Sequence, residues 1–133
     1  MDYLPVFMNV KGQRCLLVGA GEVASRKAAL LARTGAHLVV VAPLVRDEVA
    51  DIVTLHHGEI HQRKFQDSDL DDVVLVIAAT DDSGVNQRVS ELARARKIPV
   101  NVVDQTDLCS FIVPAIVDRS PVVVAISTGG SSP

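Results

Sequence analysis

The chain has 133 residues, 13 of them basic and 16 acidic, for a formal net charge of −3. That balance excludes a general electrostatic attraction to nucleic acid, so any anionic ligand must meet a local basic patch. Hydrophobic residues at 48% and charged residues at 22% exclude a disordered chain, and the length suits one domain rather than two.

Aromatic residues make up only 3%, so the core must be built from Val, Leu, Ile and Ala. This is the composition of a parallel sheet covered on both faces. The opening MDYLPVFMNVKGQR carries an acid at position 2 and no basic leader, unlike a signal peptide. No apolar run reaches the roughly 18 residues of a membrane span. Cys15 and Cys109 match no metal or redox spacing, which points to a reducing, cytoplasmic setting with no membrane partner.

In chain order, CLLVG (15–19) is a short apolar run closed by glycine, as in a buried strand. Good helix formers follow from Glu22 to Arg33, and Gly35 suits the helix end. HLVVVAP (37–43) predicts a second strand stopped by Pro43, and 45–53 a second helix with Asp47 and Glu48 in its first turn. EIHQRKF (59–65) predicts a third strand, 67–72 an acidic turn or short helix, and VVLVIAAT (73–80) a fourth strand. A helix over about 84–97 places Val85, Val89, Leu92 and Ala93 on one face, before Pro99. A fifth strand spans 100–104, and 115–127 reads as two strands around an Asp-Arg-Ser-Pro turn. Alternating strands and helices predict an α/β fold: a Rossmann-like, doubly wound, mainly parallel sheet with a C-terminal strand pair.

Gly19, Gly21 and Ala24 form G-x-G-x-x-A between the first strand and its helix. Gly19 permits the tight turn, Gly21 lets a pyrophosphate approach the backbone, and Ala24 keeps helix and sheet close. A tight β-α turn without a ligand is the plainer alternative. No acid stands at the end of the second strand to grip a ribose 2′-hydroxyl, and no arginine either, although Arg46 is near. The adenosine ribose is then expected on backbone groups around Pro43 and Leu44, favouring NAD over NADP.

Thr80, Asp81 and Asp82 follow the fourth strand, beside the expected switch point between strands one and four. The two acids could equally cap the next helix. Asp104 closes the fifth strand at the same crevice, where burial or a nearby carboxylate-rich ligand would make it a usable base; a turn-forming Asp is the alternative. His56, His57 and His61 lack supporting ligands, and no metal site is expected. Gly129 and Gly130 could form an anion nest or a flexible connection.

Three stretches in order, LPVFMNVKGQRCLLVGAGEVASRKAALLARTGA, VIAATDDSGVNQRVSELAR and NVVDQTDLCSFIVPAIVDRSPVVVAISTGGSSP, resemble the precorrin-2 dehydrogenase domain of siroheme synthases. The resemblance covers essentially residues 1–133 and is most specific from Phe111 to Pro133. It implies NAD-dependent oxidation of precorrin-2 to sirohydrochlorin, and in many members ferrous iron insertion to give siroheme. By position it implies NAD contacts at Glu22-Val23 and Pro43-Leu44, and a catalytic carboxylate at Asp104. It also implies cations for a polycarboxylate tetrapyrrole, for which Arg119, Arg88 and Lys27 are available. In the family a helical dimerisation region follows GGSSP, so the chain is expected to be truncated there and a homodimer when complete. A non-catalytic dinucleotide-sensing domain, or an oxidoreductase acting on another small metabolite, is the alternative that the glycines alone would permit.

Overall fold

A computed structural model describes residues 1–129 of the chain. Five parallel strands form the sheet: β1 (Arg14–Val18), β2 (His37–Val41), β3 (Glu59–His61), β4 (Leu75–Ala78) and β5 (Val100–Val102), in the spatial order β3-β2-β1-β4-β5. Three helices connect them: α1 (Glu22–Arg33), α2 (Asp47–Leu55) and α3 (Ser83–Ala95). A separate antiparallel pair follows, β6 (Ala115–Arg119) and β7 (Val122–Ile126). The fold is the expected doubly wound one, with its switch point between β1 and β4.

Side-chain alternation along the strands divides the core in two. Cys15 and Leu17 of β1 face α1 and α2, packing with Ala24, Ala28, Leu31, Val49 and Val53. Leu16 and Val18 face α3, packing with Val89, Ala93, Val100 and Val102. With both faces covered, the strands are continuous apolar runs rather than alternating ones.

Several elements are shorter than their apolar runs suggest. β4 ends at Ala78, and β5 ends at Val102, two residues before Asp104, which adopts a left-handed φ of 62°. Asp104 therefore stands in the turn after β5, not at its last rung. The third strand stops at His61, where Ala42 N–H donates to its carbonyl. α2 starts at Asp47 instead of position 45, because Arg46 N–H donates to Ala20 O at 3.1 Å and holds Arg46 extended.

Candidate active site

All five strands run the same way, so their carboxyl ends share one edge of the sheet. The register aligns Val18 with Val41 and Ala78, and Ala78 with Val102. The bend at Gly19, the Pro43-Leu44 turn, the Ala79-Thr80 loop and the Val103-Asp104 turn consequently rise side by side. At such an edge, beside a switch point, doubly wound proteins bind their ligands.

The glycines have separate tasks. A Cβ on Gly19 would lie 2.4 Å from the Ala79 carbonyl oxygen, and its φ is +115°. Gly19 thus lets the loops after β1 and β4 touch. A Cβ on Gly21 would meet no protein atom within 4 Å, so the space above it is open. Gly21 precedes α1 with no side-chain cap, and the first backbone donation found is Ser25 N–H to Gly21 O at 3.0 Å. The amides of Glu22, Val23 and Ala24 are left for a ligand, at the positive end of the helix dipole. Ala24 is fully buried and seats the helix against β1. This bend fits a pyrophosphate.

In the turn after β2, Leu44 is 82% exposed beside exposed Pro43, whose carbonyl accepts from Gln62 Nε2 at 3.2 Å. Arg46 pairs with Glu48 at 3.2 Å. Glu22 and Val23 stand in the first turn of α1, with Val23 partly open to solvent.

Thr80 is engaged within its own loop. Its amide donates to Asn86 Oδ1, its carbonyl accepts from Asn86 Nδ2 at 3.0 Å, and its hydroxyl lies 2.6 Å from Asn86 Oδ1. Asp82 caps α3, its Oδ1 accepting from Gly84 N–H at 2.9 Å and Val85 N–H at 3.2 Å. Asp81 is exposed and carries no hydrogen bond among the described residues.

Asp104 is exposed and has no hydrogen-bond or ion-pair partner among the described residues. The chain alone does not supply the burial that would make it a usable base. Asp104 lines a cleft of about 520 Å³ with Lys27, Asn101, Cys109, Pro114 and Thr128. A smaller one of about 240 Å³ adjoins it, lined by Val23, Arg26, Lys27, Val103 and Asp104.

The turn that carries Asp104 is held by groups the sequence reading passed over. Cys109 Sγ lies 3.1 Å from Val102 N, and 3.2 Å and 3.3 Å from the carbonyls of Val102 and Gln105. Burial pushes this thiol's pKa up, the Val102 N–H opposing the shift. Ser90 Oγ donates to Leu108 O, Arg94 to Cys109 O, and Asn101 Nδ2 to Phe111 O at 3.1 Å. Asn86 and Asn101, both buried, leave one sequence signal: an amide where helix face or strand interior should be apolar.

The three histidines do not converge. His56 and His57 follow α2, while His61 lies on β3 near Glu59. Among the described residues no group of three His, Cys, Asp or Glu side chains is placed to hold a metal ion. Gly130 lies outside the described residues, so the Gly129-Gly130 nest is not defined; a Cβ on Gly129 would touch the Tyr3 ring.

A doubly wound sheet with an open glycine bend defines a dinucleotide-binding protein, and comparison with known proteins gives the same class. Residues 6–115 match the family described as "Putative NAD(P)-binding", and the chain belongs to that family. Siroheme synthase of Nitrosospira multiformis is 53% identical over 137 residues, covering 100% of this chain and 29% of that protein. Siroheme synthase of Pseudomonas entomophila is 57% identical over 133 residues, with the same coverage. The chain thus spans under a third of the length of these relatives. Among solved structures, "SirC, precorrin-2 dehydrogenase" matches with a TM-score of 0.82 and 30% identity, over 98% of this chain and 64% of that one.

Proposed function

We propose that the protein oxidises precorrin-2 to sirohydrochlorin with NAD⁺, as the dehydrogenase part of a siroheme synthase. The observation that carries this reading is the shared edge: the open glycine bend after β1 and the unpartnered Asp104 carboxylate after β5 lie at the same end of the sheet, and Val23, just past the bend, lines the smaller cleft with Asp104. The relatives named siroheme synthase and the neighbour named precorrin-2 dehydrogenase support the substrate.

The free amides of Glu22, Val23 and Ala24 hold the diphosphate, with Gly21 allowing close approach. Pro43 and Leu44 receive the adenosine half through backbone groups and apolar contact. Thr80 and Asp81 border the nicotinamide half, mainly through the loop backbone that Asn86 fixes. Bound NAD⁺ supplies the hydride acceptor. Oxidation removes one hydride and one proton from the macrocycle, and the Asp104 carboxylate accepts the proton. Substrate lying over the cleft excludes water from that carboxylate and holds the proton acceptor against the macrocycle.

Ferrous iron is a further substrate in this reading, entering the macrocycle after oxidation, as the resemblance implies. A homodimer also belongs to it. The β6–β7 hairpin is exposed throughout and bears Ile116, Val117, Val122, Val123, Val124 and Ile126. A two-stranded ribbon is marginal alone in water, and an uncovered apolar one is a surface for a second copy. Val124→Glu should shift sedimentation towards the monomer; an unchanged dimer would place the contact elsewhere. No helix among the described residues is long and apolar enough to cross a membrane; a cytoplasmic site of action belongs to the same proposal.

Mixing the protein anaerobically with NAD⁺ and precorrin-2 tests the function directly. The sirohydrochlorin absorption spectrum should develop with NADH, and ferrous iron should then convert it to that of siroheme. Dinucleotide binding without oxidation would favour the sensor domain instead.

A further inference from the structure

We propose that Lys27 and Arg26, on the first half of α1, form the subsite that takes a peripheral carboxylate of the macrocycle and sets it against Asp104. The inference rests on the function proposed above and adds the group that orients the substrate.

The fold separates the three cations available in the sequence. Arg88 on α3 is taken up in an ion pair with Asp67. Arg119 ends β6 on the hairpin, and its guanidinium donates to the Asp118 carbonyl at 3.1 Å. Lys27 alone of these lines the clefts, and it lines both. The two clefts have Lys27, Val103 and Asp104 in common, so a cationic and an acidic residue line both.

Helical spacing explains the placement. Lys27 lies one turn beyond Val23, on the same stripe of α1, so the stripe begins at the nucleotide bend and continues towards the turn after β5. Arg26 borders the smaller cleft from an exposed position. Asn101, turned towards the α1 face by strand alternation, completes the polar wall of the larger cleft.

Lys27 is half-buried and has neither ion pair nor hydrogen bond among the described residues. Elsewhere in the described chain Arg14, Arg33, Arg46, Arg63, Arg88 and Arg96 each pair with a carboxylate. A half-buried lysine left without a partner at the wall of two clefts, while acids outnumber bases, is available to an anion from outside. That anion cannot be Asp104, which lines the same clefts unpaired. A ligand carboxylate between Lys27 and Arg26 would leave the macrocycle over the larger cleft, its edge towards Asp104. The nucleotide diphosphate has its own seat on the α1 amides, so the subsite and the dinucleotide site are separable by mutation.

The test titrates wild type, Lys27→Met, Lys27→Arg and the double variant Arg26→Gln/Lys27→Met with sirohydrochlorin, and separately with NAD⁺, alongside precorrin-2 kinetics. Losing one charge-assisted contact should weaken sirohydrochlorin about tenfold and raise KM for precorrin-2 by the same factor. The double variant should lose more, and Lys27→Arg should stay within about threefold of wild type, since it keeps the charge. NAD⁺ affinity should not move. Unchanged sirohydrochlorin affinity in Lys27→Met, or a loss confined to NAD⁺, would overturn the subsite. Wild type that binds sirohydrochlorin but does not oxidise precorrin-2 would overturn the proposed function, while the titrations still decide on Lys27. Wild type that binds no sirohydrochlorin would overturn both.

Discussion

Gly19 and Gly21 belong to one motif but answer to different constraints. Gly19→Ala drives a methyl into the Ala79 carbonyl at a left-handed φ, so it should cost about 2 kcal/mol of stability or more. Gly21→Ala enters open space at an ordinary φ of −90°. It should leave urea denaturation within about 1 kcal/mol of wild type yet weaken NAD⁺ at least about tenfold by calorimetry. If both variants fold and bind as wild type does, the bend is only a turn. The glycines are legible because their task is steric and local: a strand, a tight bend and a helix follow one another in sequence. Asn86 and Cys109 were not legible, since each works by hydrogen bonds to a backbone loop that only the fold brings near. Asp104 stands between these cases. Its position at the sheet edge can be read from the run before it, but its left-handed backbone and its exposure cannot.

Apolar runs at the scale of elements predict strands that are too long. Val73 and Val103 are buried or half-buried, and burial is what a hydrophobic run reports; whether a residue also joins a ladder depends on its neighbour. Helix ends are better marked where a side chain does the capping. Asp82, accepting from two amides of α3, is such a case, and Asp82→Ala should cost about 1 kcal/mol, read from the urea midpoint. No change would mean that the Thr80–Asn86 contacts hold this turn alone. α2 shows the opposite: its start is set by a long-range bond from Arg46 to Ala20, which no local pattern announces. The hairpin was readable from its turn and two apolar runs, but not its separation from the main sheet.

At the scale of the whole molecule, the core carries one titratable group whose effect should be measurable. Cys15 is buried on β1, and desolvation pushes its pKa from 9.0 up to about 11. The folded state therefore keeps a proton that the unfolded chain gives up first. This contribution to stability is intact below pH 9.0 and is lost progressively as pH rises towards about 11. Chemical denaturation across that window should show the decline, flattened in Cys15→Ala measured against its own neutral-pH value; equal slopes would refute the assignment. On the acid side, His37 and Arg14 hold the Glu59 carboxyl below its usual value of 4.5 at the amino ends of the strands. That group stabilises above its unfolded pKa and ceases to do so as pH falls through the lowered value, modestly because the pair is partly exposed.

In the proposed reaction the exposed carboxylate after β5 removes the proton while the dinucleotide at the glycine bend takes the hydride. The most direct measurement is the rate of NADH formation from NAD⁺ and precorrin-2 by wild type and Asp104→Asn, at saturating concentrations of both. Asp104→Asn should lower kcat about 10²-fold or more and leave NAD⁺ affinity unchanged. A variant that turns over like wild type would remove Asp104 from the chemistry.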